Sequence, residues 1–338
     1  MADLLQVTDR GLYCADGDFY VDPWKRVDRA VITHAHSDHA RPGMGSYLCA
    51  EDCKRVLHLR IGQKASIETL AYGEAVEWNG VRVSLHPAGH ILGSSQVRIE
   101  RRGEVVVVSG DYKTEPDRTC RAFEPIRCHT FITESTFGLP IYRWPKESVV
   151  FGEINRWWEK NQTEGKATFL LGYSLGKSQR VLSGLDPSIG PIVAHSALIP
   201  YIEAYRDEGV ELPAVIPLES VGPGFDWSKA AVLVPPNLSG ANWTNGIGPF
   251  ATAYMSGWMA VRGTWRSRAV DKGFVMSDHV DWDSLIQAVT DTGAHRVLVT
   301  HGFSETVAQF LRELGLDAQE LKAGWRSDSD GFSDGDED

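Results

Sequence analysis

The sequence is short of several things, and each shortage excludes a class. None of its 338 residues falls in an apolar run of eighteen or more, so no membrane-spanning helix is expected. Met1-Ala2-Asp3-Leu4 carries neither a basic flank nor a long apolar stretch, so no secretory signal is expected there. Cysteine is scarce: Cys14, Cys49, Cys53, Cys120 and Cys128 form no CxxC pair, and an odd, widely spaced set fits isolated thiols in a reducing cytoplasm. Basic residues are outnumbered by acidic ones, 34 against 45, for a formal charge of −11. The last eleven residues, 328–338, hold six acids and no base, so more than half of that excess sits in a Gly- and Ser-rich tail. Such a tail is expected to be disordered. Overall acidity gives no general attraction for nucleic acid, although a local basic patch acts at short range. Arg262, Arg266, Arg268 and Lys272, beside Trp258 and Trp265, are such a patch, and Trp243, Trp258 and Trp265 are candidates for stacking on bases.

What is present is ample for a core: 42% of residues are hydrophobic and 23% charged, which excludes wholesale disorder. At about 150 residues per domain the length suggests two domains. The N-terminal part reads as short strands separated by turns. Hairpin signals stand at Asp16-Gly17-Asp18, Asn79-Gly80 and Arg102-Gly103. Residues 29–33, 97–100, 105–108 and 126–133 are further strand-like runs, and 51–59 suits a helix. The middle part changes character. An amphipathic helix is expected over 149–160, a strand over 167–171, a glycine turn, a helix over 179–185, and strands at 191–194 and 231–235. Residues 212–224 and 237–248 read as loops. The final part returns to the first style, with a helix over 283–290, a strand over 295–300 and a helix over 304–314.

The chemistry is concentrated in His34-Ala35-His36-Ser37-Asp38-His39, directly after the 29–33 strand. Four potential metal ligands in six residues, at a strand end where side chains can curl around a cation, suit two borderline divalent ions. His90, Asp111 and His301 each follow an apolar run as well. A lone histidine there is often structural, but three such residues together with the cluster point to one centre. A carboxylate such as Asp111 can bridge two cations, the geometry that clamps the attacking and leaving oxygens of phosphoryl transfer.

The string HAHSDH resembles the HxHxDH signature of the metallo-β-lactamase fold, and the GHILGS, SGD and THG strings resemble its later motifs in the right order. The resemblance implies that His34, His36 and His90 hold one metal, that Asp38, His39 and His301 hold the other, and that Asp111 bridges. Asp22 matches the early aspartate that supports the ligand loop by hydrogen bonding. Thr133-Glu134-Ser135-Thr136-Phe137-Gly138 and Ser277-Asp278-His279-Val280-Asp281 resemble motifs of the nucleic-acid-processing β-CASP branch. Tyr173-Ser174-Leu175-Gly176-Lys177 resembles the YxxGK segment of SNM1-type nucleases. The chain as a whole is similar to bacterial ligase-associated DNA exonucleases.

That similarity implies an α/β protein: a metallo-β-lactamase αββα sandwich with an inserted small α/β β-CASP domain. The sandwich is expected over 1–155 and 269–325, the insertion over 156–268 and the acidic tail over 326–338. The insertion would leave a cleft for a polymer, which small hydrolases of the same fold do not need. The implied activity is metal-dependent hydrolysis of phosphodiesters, from the 5′ end of single-stranded or frayed DNA, in DNA repair. A functional link to a DNA ligase and a cytoplasmic location are implied too. Two divalent cations, zinc or alternatively manganese, would acidify the attacking water. Asp38 would contact that water, His279 would serve as general acid, and Glu134 would orient it. Ser174 and Lys177 are candidates for holding a substrate phosphate. GxxxxGK[ST] needs a glycine at position 171, where the sequence has Leu171, so no nucleotide cofactor is expected. An RNA-processing ribonuclease of the β-CASP family is the alternative. A catalytically silent nucleic-acid-binding or scaffold protein is the alternative of another class.

Overall fold

The computed structural model describes residues 4–236, 246–261 and 270–322. Arg262, Arg266, Arg268, Trp243, Trp265 and the 326–338 tail lie outside the described residues. The chain divides into two compact units, residues 1–142 with 279–338, and residues 143–278. The breaks at 155/156 and 268/269 that the resemblance implies differ from these. The first falls inside a continuous helix, Glu147–Thr163.

The first unit begins with a six-stranded sheet: β1 (Gln6–Val7), β2 (Leu12–Cys14), β3 (Phe19–Val21), β4 (Arg29–Val31), β5 (Ser46–Ala50) and β6 (Ile67–Leu70), in that order. β1 to β3 are antiparallel neighbours and β3 to β6 parallel ones. A helix, α1 (Lys54–Ile61), follows a 3-10 turn after β5. The second sheet starts with β7 (Ala75–Trp78), β8 (Val81–Pro87), β9 (Ser95–Arg101), β10 (Glu104–Val108) and β11 (Thr130–Glu134). It is completed late in the chain by β18 (Arg296–Thr300) and β19 (Asp317–Glu320), giving the order β19-β18-β11-β10-β9-β8-β7.

The turns do what their residues require. Asn79 and Gly80 both take positive φ (52° and 77°), as do Arg102 and Gly103 (49° and 84°), which matches the twist of the hairpins they close. Between β10, β11 and β18 the pairing is parallel, and β11 is buried along its whole length. The helices of this unit show why they form. In α5 (Trp282–Thr292), Asp281 caps the first turn by accepting from Ser284 N at 2.9 Å, and Gly293 ends it in the left-handed region at φ 63°. Its buried residues, Trp282, Leu285, Ala288, Val289 and Thr292, recur at helical spacing. Trp282, Leu285, Ala288 and Val289 pack with Val307, Ala308 and Leu311 of α6 (Ser304–Glu313) on Val107, Phe131, Val297 and Val299 of the sheet.

The second unit is a parallel α/β layer. α2 (Glu147–Thr163) precedes β12 (Ala167–Leu171), α3 (Lys177–Gly184), β13 (Ile192–Ala194), α4 (Ile199–Asp207), β14 (Ile216–Pro217), β15 (Ala231–Val234), β16 (Phe250–Met255) and β17 (Lys272–Phe274). All pairings are parallel, in the order β14-β13-β15-β12-β16-β17. Val150, Ile154 and Trp158 of α2 pack with Leu170, Ile192, Leu233 and Phe274 on one face. The Trp158 indole donates to Lys229 O at 3.0 Å, which satisfies its only polar group.

Candidate metal centre

Sheet parity explains why distant motifs meet. β8 and β10 run the same way because each is antiparallel to β9, and β10, β11 and β18 are mutually parallel. Pro87, Val108, Glu134 and Thr300 therefore end on one edge of the second sheet. His90, Asp111, Glu134 and His301 follow from those ends, and the His34–His39 loop follows β4.

The side chains fall into three groups whose ligand atoms lie within 4.8 Å of one another: His34, His36, His90 and Asp111; Asp38, His39 and His301; and Asp111, Glu134 and His279. In the first group the three imidazoles stand edge-on to each other at 4.8–4.9 Å between centroids. His90 Nε2 is 3.1 Å from His36 Nδ1. Asp111 Oδ2 is 3.5 Å from His34 Nε2, 3.6 Å from His39 Nε2 and 3.9 Å from His90 Nε2, so one carboxylate oxygen reaches both groups. His39 Nε2 is 3.5 Å from Asp38 Oδ2, and the His39 and His301 rings stack at 5.3 Å.

This donor set fits a pair of divalent cations. Imidazoles and carboxylates at these spacings are borderline-hard ligands. Among the described residues, the buried atoms His34 Nε2 and Asp111 Oδ1 have no hydrogen-bond partner, a costly state that a cation would relieve.

Surrounding groups fix the ligands. Asp22 takes φ 42° at the end of β3. Its Oδ1 accepts from Thr33 N at 2.8 Å, and its Oδ2 accepts from Thr33 Oγ1 at 2.6 Å and lies 2.7 Å from His39 Nδ1. His39 Nε2 is thereby turned toward the ligand cluster. Ser94 Oγ accepts from His90 N at 3.0 Å and Ile91 N at 3.2 Å, which closes the His90 loop. That loop lies tight on α1's approach: a Cβ at Gly93, whose φ is +73°, would sit 2.2 Å from the Cys53 backbone. Beside the two groups, His279 Nδ1 lies 2.9 and 3.0 Å from the two Glu134 oxygens. Glu134 also accepts from Tyr112 N at 2.8 Å.

The electrostatics are those of a crowded, buried site. Burial first, then the neighbouring His39, His90 and His36 charges, hold His34 well below the usual imidazole range. Burial likewise lowers His301, to about 4. Both are therefore neutral, the form that binds a metal. Burial disfavours charge on His39 too, but the Asp111, Asp38 and Asp22 carboxylates outweigh it and raise this group well above its ordinary value. Burial pushes Asp111 well up. Burial also opposes ionisation of Asp38 and Glu134. Asp38 is nevertheless lowered by His39, His36 and His301, and Glu134 by His279 and by hydrogen bonds from Thr136 and Tyr112.

All seven residues expected to hold metal thus lie in one place, with His279, Glu134 and Asp22 around them. Ser174 and Lys177 are in the other unit. Ser174 is half-buried in the loop after β12. Lys177 is buried, and its ammonium lies 2.8 Å from Asp278 Oδ2 and donates to Met276 O at 3.0 Å. Arg180 pairs with the same Asp278 at 3.0 Å and with Glu147 at 2.7 Å. The sequence alone does not single out Thr33, Ser94, Tyr112 and Ser135. Their roles run through backbone atoms and hydroxyls, and only their position next to ligand motifs signals them. Among the described residues, no helix is long and apolar enough to cross a membrane.

No family model matches the chain. Among curated proteins it is 31% identical over 314 residues to a "Probable DNA ligase" of Opitutus terrae, a match covering 91% of this chain and 30% of that protein. It is 35% identical over 124 residues to "Endoribonuclease YSH1" of Yarrowia lipolytica, covering 36% of this chain and 14% of the relative. It is 32% identical over 124 residues to "Cleavage and polyadenylation specificity factor subunit 3" of Dictyostelium discoideum, covering 36% and 16%. The chain thus spans less than a third of the length of each. A crystal structure of a protein of unknown function from Enterococcus faecalis shares its fold, with TM-score 0.54 and 11% identity over 88% of this chain and 78% of that one.

Proposed function

We propose that this chain, which belongs to the β-CASP metallo-hydrolase family, is a dinuclear-metal phosphodiesterase that shortens DNA from a 5′ end, on single-stranded or frayed substrates in repair. The observation that carries the reading is the position of Asp111 Oδ2, within 3.6 Å of both His34 Nε2 and His39 Nε2, with the Glu134–His279 pair alongside. The first unit is read as the αββα sandwich of the family and the second as its inserted β-CASP domain.

His34, His36 and His90 would hold one cation, Asp38, His39 and His301 the other, and Asp111 both. Two such cations, zinc or manganese, supply charge neutralisation at phosphate oxygens and acidify a water. The residues do the rest. Asp22 keeps His39 in the tautomer that offers Nε2. Asp38 orients the water at the site's edge. Glu134, ionised and bonded to His279 Nδ1, stabilises the imidazolium, whose other nitrogen protonates the leaving alkoxide. Ser174, in the loop after β12, is assigned to a backbone or terminal phosphate together with Lys177, a role that the Lys177 contacts with Asp278 and Met276 O put to a direct test below.

DNA is preferred to RNA because the likeness to the protein named a probable DNA ligase extends over 91% of the chain, whereas the likeness to the endoribonuclease covers 36%. The likeness to an endoribonuclease and to a polyadenylation specificity factor makes RNA processing the second reading. End-labelled single-stranded DNA and RNA of equal sequence, with zinc or manganese and an Asp38→Ala control, separate the two. Stepwise loss from the 5′ end of DNA, absent in the control, supports the proposal. Internal cuts confined to RNA refute it in favour of the second reading, and intact polymers of both kinds refute both.

A further inference from the structure

His301 is held in a backbone conformation that a histidine does not choose unaided. Its φ is +57° and that of Gly302 is +63°, so two successive residues turn left-handed directly after β18. Such a turn persists only where its surroundings fix it. The surroundings are the segment at the neighbouring strand end, Ser135 above all. β11 and β18 pair in parallel register with Glu134 opposite Thr300, so Ser135 lies beside His301. Ser135 Oγ reaches Thr300 O at 3.1 Å and also bonds His301 O. Ser135 O accepts from Phe303 N at 3.0 Å, on the far side of the turn. A Cβ on Gly302 would lie 2.5 Å from Ser135 O and 2.6 Å from Thr136 Cα, so the turn is pressed directly against this segment. Ser135 itself is fully buried and touches no solvent.

We infer that Ser135 is the positioning residue of the second cation site: its hydroxyl and carbonyl bracket the His301 turn and so aim the His301 imidazole at the cation shared with Asp38 and His39. This rests on the dinuclear reading above. The first site has its own hydroxyl support, Ser94 Oγ under His90 N and Ile91 N. The two sites are thus tuned by separate serines, and each can be loosened alone.

The test is a zinc titration of full-length protein, read by calorimetry and by metal content after gel filtration. Wild type is expected to bind two ions. Ser135→Ala is expected to keep one at wild-type affinity and to weaken the other by about tenfold or more, in the range seen when outer-shell partners of ligands are lost. Ser94→Ala is expected to weaken the opposite site. In a His301→Ala background Ser135→Ala should change nothing further, and in a His90→Ala background it should weaken the remaining ion by the same factor. Two wild-type affinities in Ser135→Ala would overturn the inference while leaving the dinuclear reading intact. Equal weakening of both sites would also overturn it, marking Ser135 as a general fold element. A wild type that binds no zinc or manganese would instead overturn the dinuclear reading itself. Gly302→Ala reaches the same turn from the other side and should reproduce the selective loss if Ser135→Ala proves unstable.

Discussion

The backbone N–H of Tyr112 donates to Glu134 Oε1 at 2.8 Å, one residue after Asp111. The carboxylate beside the candidate general acid is therefore tied to the segment that carries the bridging ligand. Glu134 is within reach of His279 through both oxygens, while Asp111 Oδ2 is 4.0 Å from the same His279 nitrogen. The pair proposed to handle the proton and the residues proposed to hold metal form one connected network, and separate variants are expected to disable them one at a time.

His279→Ala is expected to retain both cations and the fold while turnover falls by about 10²–10⁴, the usual worth of a general acid. Glu134→Gln, which keeps the shape and removes the charge, should show a smaller loss. Metal content and single-turnover rates measured on the same preparations check both. Loss of a cation along with activity in His279→Ala would contradict its role.

Asp22→Ala is expected to cost about 10–100-fold in metal affinity without removing a ligand, because His39 Nδ1 and Thr33 both lose their acceptor. Asp22→Asn should be milder, since an amide oxygen can still accept from Thr33 N. Competition with a chelator measures the difference. The loss should fall on the site containing His39.

The pH dependence of cation binding follows from the direction of the shifts. The folded, metal-free protein holds the His39 proton well above the ordinary imidazole range. A cation at Nε2 must displace that proton, so affinity at this site should rise with pH through and beyond neutrality and fall as pH drops. The limiting slope is about tenfold per pH unit for each displaced proton, and Asp111, also pushed up, adds to it in the same direction. His34, held well below its ordinary value, and His301, at about 4, are already neutral and contribute no such release near pH 7. Calorimetry in buffers of different ionisation enthalpy counts the proton. Affinity independent of pH between 6 and 8 would contradict the assignment.

Lys177→Ala separates an internal from a substrate-facing role. The ammonium shares buried Asp278 with Arg180, so its loss leaves a carboxylate only partly compensated. Thermodynamic stability should fall by about 1–3 kcal/mol, less than for a buried pair with no second cation. A terminal-phosphate role requires, in addition, a larger loss on 5′-phosphorylated ends than on 5′-hydroxyl ends. Equal loss on both ends contradicts a terminal-phosphate role, and unchanged activity with a lower unfolding midpoint assigns Lys177 to the fold.

Much of the centre was legible because its ligands are consecutive or end apolar runs. His34 to His39 announce themselves in six residues, and His90, Asp111 and His301 each follow a strand that periodicity reveals. The hairpins at Asn79-Gly80 and Arg102-Gly103 are legible from their turn residues, since Asn79, Gly80 and Gly103 suit the φ > 0 they adopt. Other features carry no comparable signal. β5, β6, β16, α4 and β19 were not anticipated, and β6 and β19 are short strands with polar residues among few apolar ones. Ile216–Pro217 forms a two-residue edge strand inside a segment whose Pro and Gly content reads as loop. The Ser135 contacts depend on parallel register between strands 165 residues apart, which no local pattern encodes.

The central claim is tested most directly by crystals grown with zinc and measured on both sides of the zinc absorption edge. Two anomalous peaks about 3.5–4 Å apart are expected, one among His34, His36 and His90, the other among Asp38, His39 and His301, with Asp111 between them. A single peak, or none at these residues, would contradict a dinuclear centre.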